Sequence, residues 1–235
     1  MEGPFNDPEI PDGERTAYRG LIRGEEAGTG ELLVERVRNG SRDLYRQSLL
    51  ARLGDGGPEY RLEVIFRRRS GSIHAEEYRL ETIDGGGTAV ASEEGRFRGV
   101  RAVQWGGELE PYPRDLAPLL GCAVALRGLE FERGAERTFS LWLANTLYWT
   151  VEAKVEKQEQ VELPTGQVGA WRVRLRPSFE EVDRALDNLL DIVLPPIVLH
   201  FEAERPHRLL RFEFPTGPFK WNPPGLIEAV GLDGA

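Results

Sequence analysis

The chain has 235 residues, 39 acidic against 30 basic, and a formal net charge of -9. That charge repels a phosphate backbone at long range and argues against nucleic acid as a partner. The single cysteine, Cys122, excludes an internal disulfide and a cysteine metal cluster, and no apolar run reaches the roughly 18 to 20 residues a membrane helix requires.

The length is enough for a substantial core, and a single domain is expected. Residues 1–14 have no periodicity and several Pro and Gly residues, so they read as a tail or an edge-covering segment. They lack the basic start and apolar stretch of a secretory signal. The expectation is therefore a soluble chain, either cytoplasmic or exported with its signal removed; cysteine usage is compatible with both.

The main domain is expected over residues 15–215. Up to about Trp105 it falls into segments of about ten residues separated by turn signals: Gly28-Thr29-Gly30, Asn39-Gly40-Ser41, Gly54-Asp55-Gly56-Gly57, Ser70-Gly71-Ser72 and Asp84 to Gly87. This spacing predicts a meander of antiparallel strands. In the clearest segment Tyr60, Leu62, Val64 and Phe66 share one face while Glu59, Arg61 and Glu63 share the other. In the next, Ile73 and Ala75 have a parity that Tyr78 and Leu80 do not, which predicts a β-bulge near Glu76-Glu77.

Asp115 is placed to cap a helix running to Leu126, with Pro111 and Pro113 before it. From Phe139 to Val155 the apolar residues take odd positions, including Leu147 and Trp149, and predict one long strand. Leu163-Pro164-Thr165-Gly166 then turns the chain into a second alternating run with Trp171, Val173 and Leu175. Trp142 and Tyr148 lie on the other parity, so a helix is expected to cover the outer face of that strand. Ser178-Phe179-Glu180-Glu181 has capping-box spacing, and Phe179, Val182, Leu186, Leu189, Leu190 and Val193 follow at helical intervals. Pro195-Pro196 ends this second helix. Two strands, about Ile197 to Ala203 and Arg208 to Phe214, close the domain, and residues 216–235 read as an irregular tail.

The order of these elements resembles a bacterial family of unknown function whose members are curved half-barrels like the lipoprotein carriers (the LolA/LolB-like fold). The resemblance rests on Asp115 to Leu126, Gly134 to Leu143, Val161 to Gly166 running into Ala170 to Val173, and the closing Leu199-His200-Phe201 and Pro206 to Arg211. It implies a mainly β fold: a single strongly curved antiparallel sheet, a half-barrel, with two helices packed on the concave side. It also implies an exported protein of the cell envelope.

For function, no nucleophile elbow, phosphate loop or zinc motif is present. Neighbouring carboxylates such as Glu93-Glu94 point to opposite faces of a strand, which is poor geometry for acid–base work. His200 and His207, with Glu202 and Glu204 between them, are the best candidates for a shared metal or an active site and rank last. Arg67-Arg68-Arg69 reads as a solvated strand end or as a contact for acidic lipid headgroups or an acidic partner. The preferred reading is a non-enzymatic carrier, without cofactor or metal, of a lipid or lipoprotein acyl chain. Its expected apolar lining is Tyr60, Phe66, Leu147, Trp149, Trp171 and Val173. The alternative is a structural or protein-interaction module with a filled core, and core packing is also the plainer explanation for those aromatic residues.

Overall fold

The computed structural model describes residues 5–97, 101–102, 108–109, 112–144, 147–177, 197–217, 222 and 224–233. The strands are β1 (Phe5–Asn6), β2 (Glu14–Ile22), β3 (Glu25–Asn39), β4 (Arg42–Leu53), β5 (Glu59–Arg69), β6 (Ser72–Ile83) and β7 (Ala89–Arg96). Two short strands, β8 (Arg101–Ala102) and β9 (Glu108–Leu109), pair only with each other. β10 (Leu116–Pro118), a 3-10 turn (Leu119–Gly121) and α1 (Cys122–Leu126) follow. β11 (Glu136–Ala144), β12 (Leu147–Leu163), β13 (Gly166–Pro177), β14 (Ile197–Glu202), β15 (Leu209–Pro215) and β16 (Pro224–Asp233) complete the chain.

Among the described residues, fourteen strands form one sheet in the order β1-β6-β5-β4-β3-β2-β16-β15-β14-β13-β12-β11-β10, with β7 also on β6. Every pair is antiparallel except β10 on β11. The sheet curls until its two ends touch. Phe5 on β1 stacks edge-on against Phe139 on β11 at 5.6 Å, and Tyr78 on β6 against Trp142 on β11 at 4.7 Å. Such aromatic pairs contribute about 0.5–1.5 kcal/mol each beyond their buried area. They join the ends with side chains where a closed barrel would use backbone hydrogen bonds.

The period-two patterns account for the core. On β5, Leu62, Val64 and Phe66 are buried and Arg61 and Glu63 exposed, as the alternation requires. The bulge falls where the parity breaks: Ile65 pairs with Glu77 and Phe66 with Ala75, which leaves Glu76 as the extra residue. The β12–β13 hairpin turns at Pro164-Thr165, with Leu163 opposite Gly166.

Several expectations are corrected. The single strand read from Phe139 to Val155 is a hairpin of β11 and β12, with Phe139 opposite Val151 and Leu141 opposite Trp149. In this register odd positions face odd positions, so the alternation runs through the turn unbroken and imitates one strand. On the other parity Trp142 packs against the far end of the sheet, on Tyr78 and on Phe97 at 5.3 Å, where a helix was expected. The helix expected from Asp115 is replaced in its first part by β10, whose backbone pairs with Ser140 to Trp142. The Asp115 carboxylate accepts from the Ser140 hydroxyl at 3.2 Å and caps nothing. Of the segment Asp115 to Leu126, the α-helical part is Cys122–Leu126, preceded by the 3-10 turn Leu119–Gly121.

The second expected helix, Ser178 to Val193, lies outside the described residues. Thus two helices on the concave side are reduced, among the described residues, to one short helix there. Gly28 and Gly30, read as a turn, lie within β3, because the chain turns earlier at Arg23-Gly24, both with positive φ. The segment read as a C-terminal tail supplies β16, which sits between β15 and β2. Its Ile227 and Ala229 alternate with Leu226 and Glu228, a signal obscured by the Pro-rich approach to it. At the other end Phe5 and Ile10 are buried and β1 pairs with β6, the edge-covering form of the N-terminal reading.

Candidate apolar cleft

α1 and its 3-10 turn lie against the concave face. A Cβ on Gly121 would fall 2.8 Å from the Val64 side chain, so only glycine lets the turn approach β5 this closely. The C-terminal end of the helix is anchored by charge. Arg127 forks onto both carboxylate oxygens of Glu14 on β2 at 2.6 and 2.9 Å, and its Nε donates to the Pro206 carbonyl. Arg208 adds a second cation 3.3 Å from Glu14.

At the opposite end the 3-10 turn does not seal the sheet. A cavity of about 230 Å³ lies between the turn and the wall. Leu119, Leu120 and Cys122 line it from the turn and helix, Leu49 and Leu53 from β4, and Phe212 and Phe214 from β15. Its mouth is apolar and open to solvent: Ile22 is 43%, Leu53 47%, Leu119 37% and Leu120 44% exposed. Contiguous apolar surface of this kind on a monomer marks a binding site or an interface.

The cleft owes its space to glycine. Gly20 on β2 faces Gly28 on β3, and Gly30 faces Ala51 on β4, so this part of the wall carries almost no side-chain volume. A Cβ at Gly20 would meet nothing nearer than 3.7 Å, and one at Gly30 nothing nearer than 3.4 Å. The space is therefore fillable, and backbone conformation does not demand glycine at either position.

Burial holds the Cys122 thiol and the Tyr18 hydroxyl of the cleft neutral. Burial pushes the Cys122 thiol up to about 12, and burial likewise raises Tyr18, whose hydroxyl donates to the Leu209 carbonyl at 2.8 Å. A protonated thiol is a poor nucleophile. At pH 8 a maleimide should label Cys122 in the folded protein about three orders of magnitude more slowly than in urea, from the difference in thiolate fraction alone. An acyl chain in the cleft should slow it further. Labelling as fast in the folded state as in urea would contradict this placement.

The histidines go to separate partners. His200, on the convex face of β14, hydrogen-bonds Glu159 at 2.8 Å, whereas His207 Nδ1 meets the Glu202 carbonyl at 2.9 Å and its ring stacks on Phe131. Among the described residues no group of three or more His, Cys, Asp or Glu side chains is placed to hold a metal ion. Burial pulls both histidines below their ordinary value, against the raising effect of these hydrogen bonds. The neutral imidazole is thus favoured by folding. Its stabilisation is complete above the unfolded histidine value of about 6.5 and is lost as pH falls below it. The melting temperature should therefore drop between about pH 7 and pH 5, and less so in His200→Gln; an unchanged pH slope in that variant would remove His200 from the account.

The six residues singled out from sequence are dispersed. Phe66 and Val173 are fully buried in the core and Tyr60 is half-buried on β5. Trp171 is half-buried near Phe131, and Trp149 is 53% exposed. Leu147 opens β12 opposite Ala144, and its side chain lies outside the described residues. None of the five whose side chains are described lines the cleft. The signal that marks it is glycine at Gly20, Gly28 and Gly30 inside otherwise regular strands, which indicates close approach of a backbone or a ligand. Of the arginine run, Arg68 is bound to Asp7 and Asp43 at 2.8 Å each and lies over the Tyr45 ring, so its charge is used within the fold.

The fold is that of a barrel-like, mostly open β sheet. It is similar to a β-barrel-like protein of a domain of unknown function, DUF1849, from Brucella abortus, with a TM-score of 0.51 and 13% identity over 94% of this chain and 97% of that one. A candidate exported protein with a YmcC-like fold from Bacteroides fragilis matches at 0.41 and 9%, over 98% of this chain and all of that one. A candidate lipoprotein from Parabacteroides distasonis matches at 0.38 and 10%, over 99% and all. The first shows a shared fold. No family model matches the chain, and no curated protein does. Among the described residues no helix is long and apolar enough to cross a membrane.

Proposed function

We propose that the protein binds one apolar chain, of a lipid or of a lipoprotein acyl group, in the cleft between α1 and the concave sheet, and performs no chemistry on it. The observation that carries this reading is the open cavity of about 230 Å³ with Ile22, Leu53, Leu119 and Leu120 exposed at its mouth. Sites that enclose drug-sized ligands run to roughly 300–1,000 Å³, so this one suits a single unbranched chain rather than a two-chain phospholipid. Each buried methylene contributes about 0.8 kcal/mol, enough for useful affinity from a chain of moderate length. The cell envelope belongs to this reading, because there acyl chains must be escorted through water.

Native mass spectrometry of the purified chain, followed by denaturation and lipid extraction, tests it. A stoichiometric lipid or fatty acid that leaves on unfolding is the expected result. A clean apo mass, with no uptake of added fatty acid or phospholipid, would replace the carrier by a protein-interaction module that uses the same apolar mouth.

A further inference from the structure

A fully buried amide side chain lines the cleft. Gln47, on β4, lies between Val34 of β3 and Val64 of β5 and is fully buried. Its Nε2 donates to the Leu120 carbonyl of the 3-10 turn at 3.3 Å, while its Oε1 is buried with no hydrogen-bond partner among the described residues. A buried acceptor without a donor is costly, and leucine at this position would avoid the cost. The Tyr18 hydroxyl cannot serve, being committed to Leu209.

We propose that Gln47 is the polar anchor of the cleft, and that the bound chain enters with a neutral hydrogen-bond donor, a hydroxyl or an amide N–H, at its leading end. This rests on the cleft being a chain-binding site. For a chain that enters at the Leu53 end of the mouth, Gln47 lies six residues further along β4, which is about 20 Å at roughly 3.3 Å per residue. The donor therefore travels in first, and the chain behind it fills the glycine-walled section. The charge of the leading group follows from its surroundings. The two arginines bordering the cleft are paired with acids, Arg19 with Glu228 and Arg52 with Glu59. An ionised carboxylate at Gln47 would have no cation, and an ammonium no anion, so a neutral group is selected.

The test compares 1-decanol with decyl methyl ether, which lacks the donor, each displacing the neutral fluorophore N-phenyl-1-naphthylamine from the full chain. Wild type should prefer the alcohol by roughly five- to tenfold, the worth of one buried hydrogen bond. Gln47→Leu should lose that preference while still binding the ether, which shows that the cleft is present. Gln47→Met serves as a second variant if the first fails to fold. A preference that survives both substitutions, or none in wild type, overturns the anchor and leaves the cleft standing. Failure of both chains to displace the fluorophore overturns the cleft reading along with it.

Discussion

Arg127→Met should destabilise the protein by about 3–5 kcal/mol, the usual cost of breaking a buried ion pair from one side. Arg127 and Glu14 have side chains only 2% exposed, and the guanidinium satisfies both carboxylate oxygens together with the Pro206 carbonyl. Removing it leaves the Glu14 carboxylate out of water with Arg208 as its neighbour. The loss should exceed that of any exposed pair, such as Arg15 with Glu31, where about 0–1 kcal/mol is expected. The double variant Arg127→Met, Glu14→Leu should recover only part of it, because the buried Arg208 then keeps Glu202, at 4.0 Å, in place of Glu14. Urea unfolding curves measure all of these. A single-variant loss below about 1 kcal/mol would mean that the pair does not anchor α1.

Gly20→Leu should leave stability unchanged or slightly higher and weaken binding of an acyl chain at least tenfold, about 1.4 kcal/mol. Glycine inside a strand contributes no packing and costs backbone entropy, so a side chain is tolerated wherever its Cβ fits. At Gly20 it fits, with its nearest neighbour at 3.7 Å, and the rest of the leucine enters the space the ligand would occupy. Trp149→Ala is the control: Trp149 lies on β12, away from the cleft, and its loss should leave binding unchanged. If Gly20→Leu binds as wild type does while Trp149→Ala does not, the site lies elsewhere on the sheet.

Strand identity was legible wherever a pattern was local. Tyr60 to Phe66 declared one wet and one dry face, and the parity break between Ala75 and Tyr78 placed a bulge near Glu76-Glu77, where Glu76 is the extra residue. Where a pattern depended on pairing, it misled. An even register sum carried the alternation of β11 through the turn into β12, so only Asn145 hinted at a hairpin. Asp115 resembled a cap because nothing in sequence says that Ser140 is its neighbour. The cleft was hidden for a related reason: sequence favours large apolar residues as ligand contacts, yet Phe66 and Val173 are consumed by the core. Space comes instead from the residues that are missing side chains, and Gly20 and Gly28 meet only through the pairing of β2 with β3. Nothing in the sequence singles out Gln47, which is distinguished by its burial and by its hydrogen bond to the Leu120 carbonyl.

The central claim, that an acyl chain lodges between the 3-10 turn and the glycine-walled part of the sheet, is tested most directly by photo-crosslinking. A long-chain alcohol carrying a diazirine along its chain is bound to the full protein, irradiated, and mapped by peptide sequencing. Adducts are expected on the segment holding Leu119, Leu120 and Cys122, on Leu49 to Leu53, and on Phe212 to Phe214, and competition by unlabelled alcohol should abolish them. Adducts confined to the surface around Trp149, or scattered adducts that unlabelled alcohol does not suppress, would contradict it.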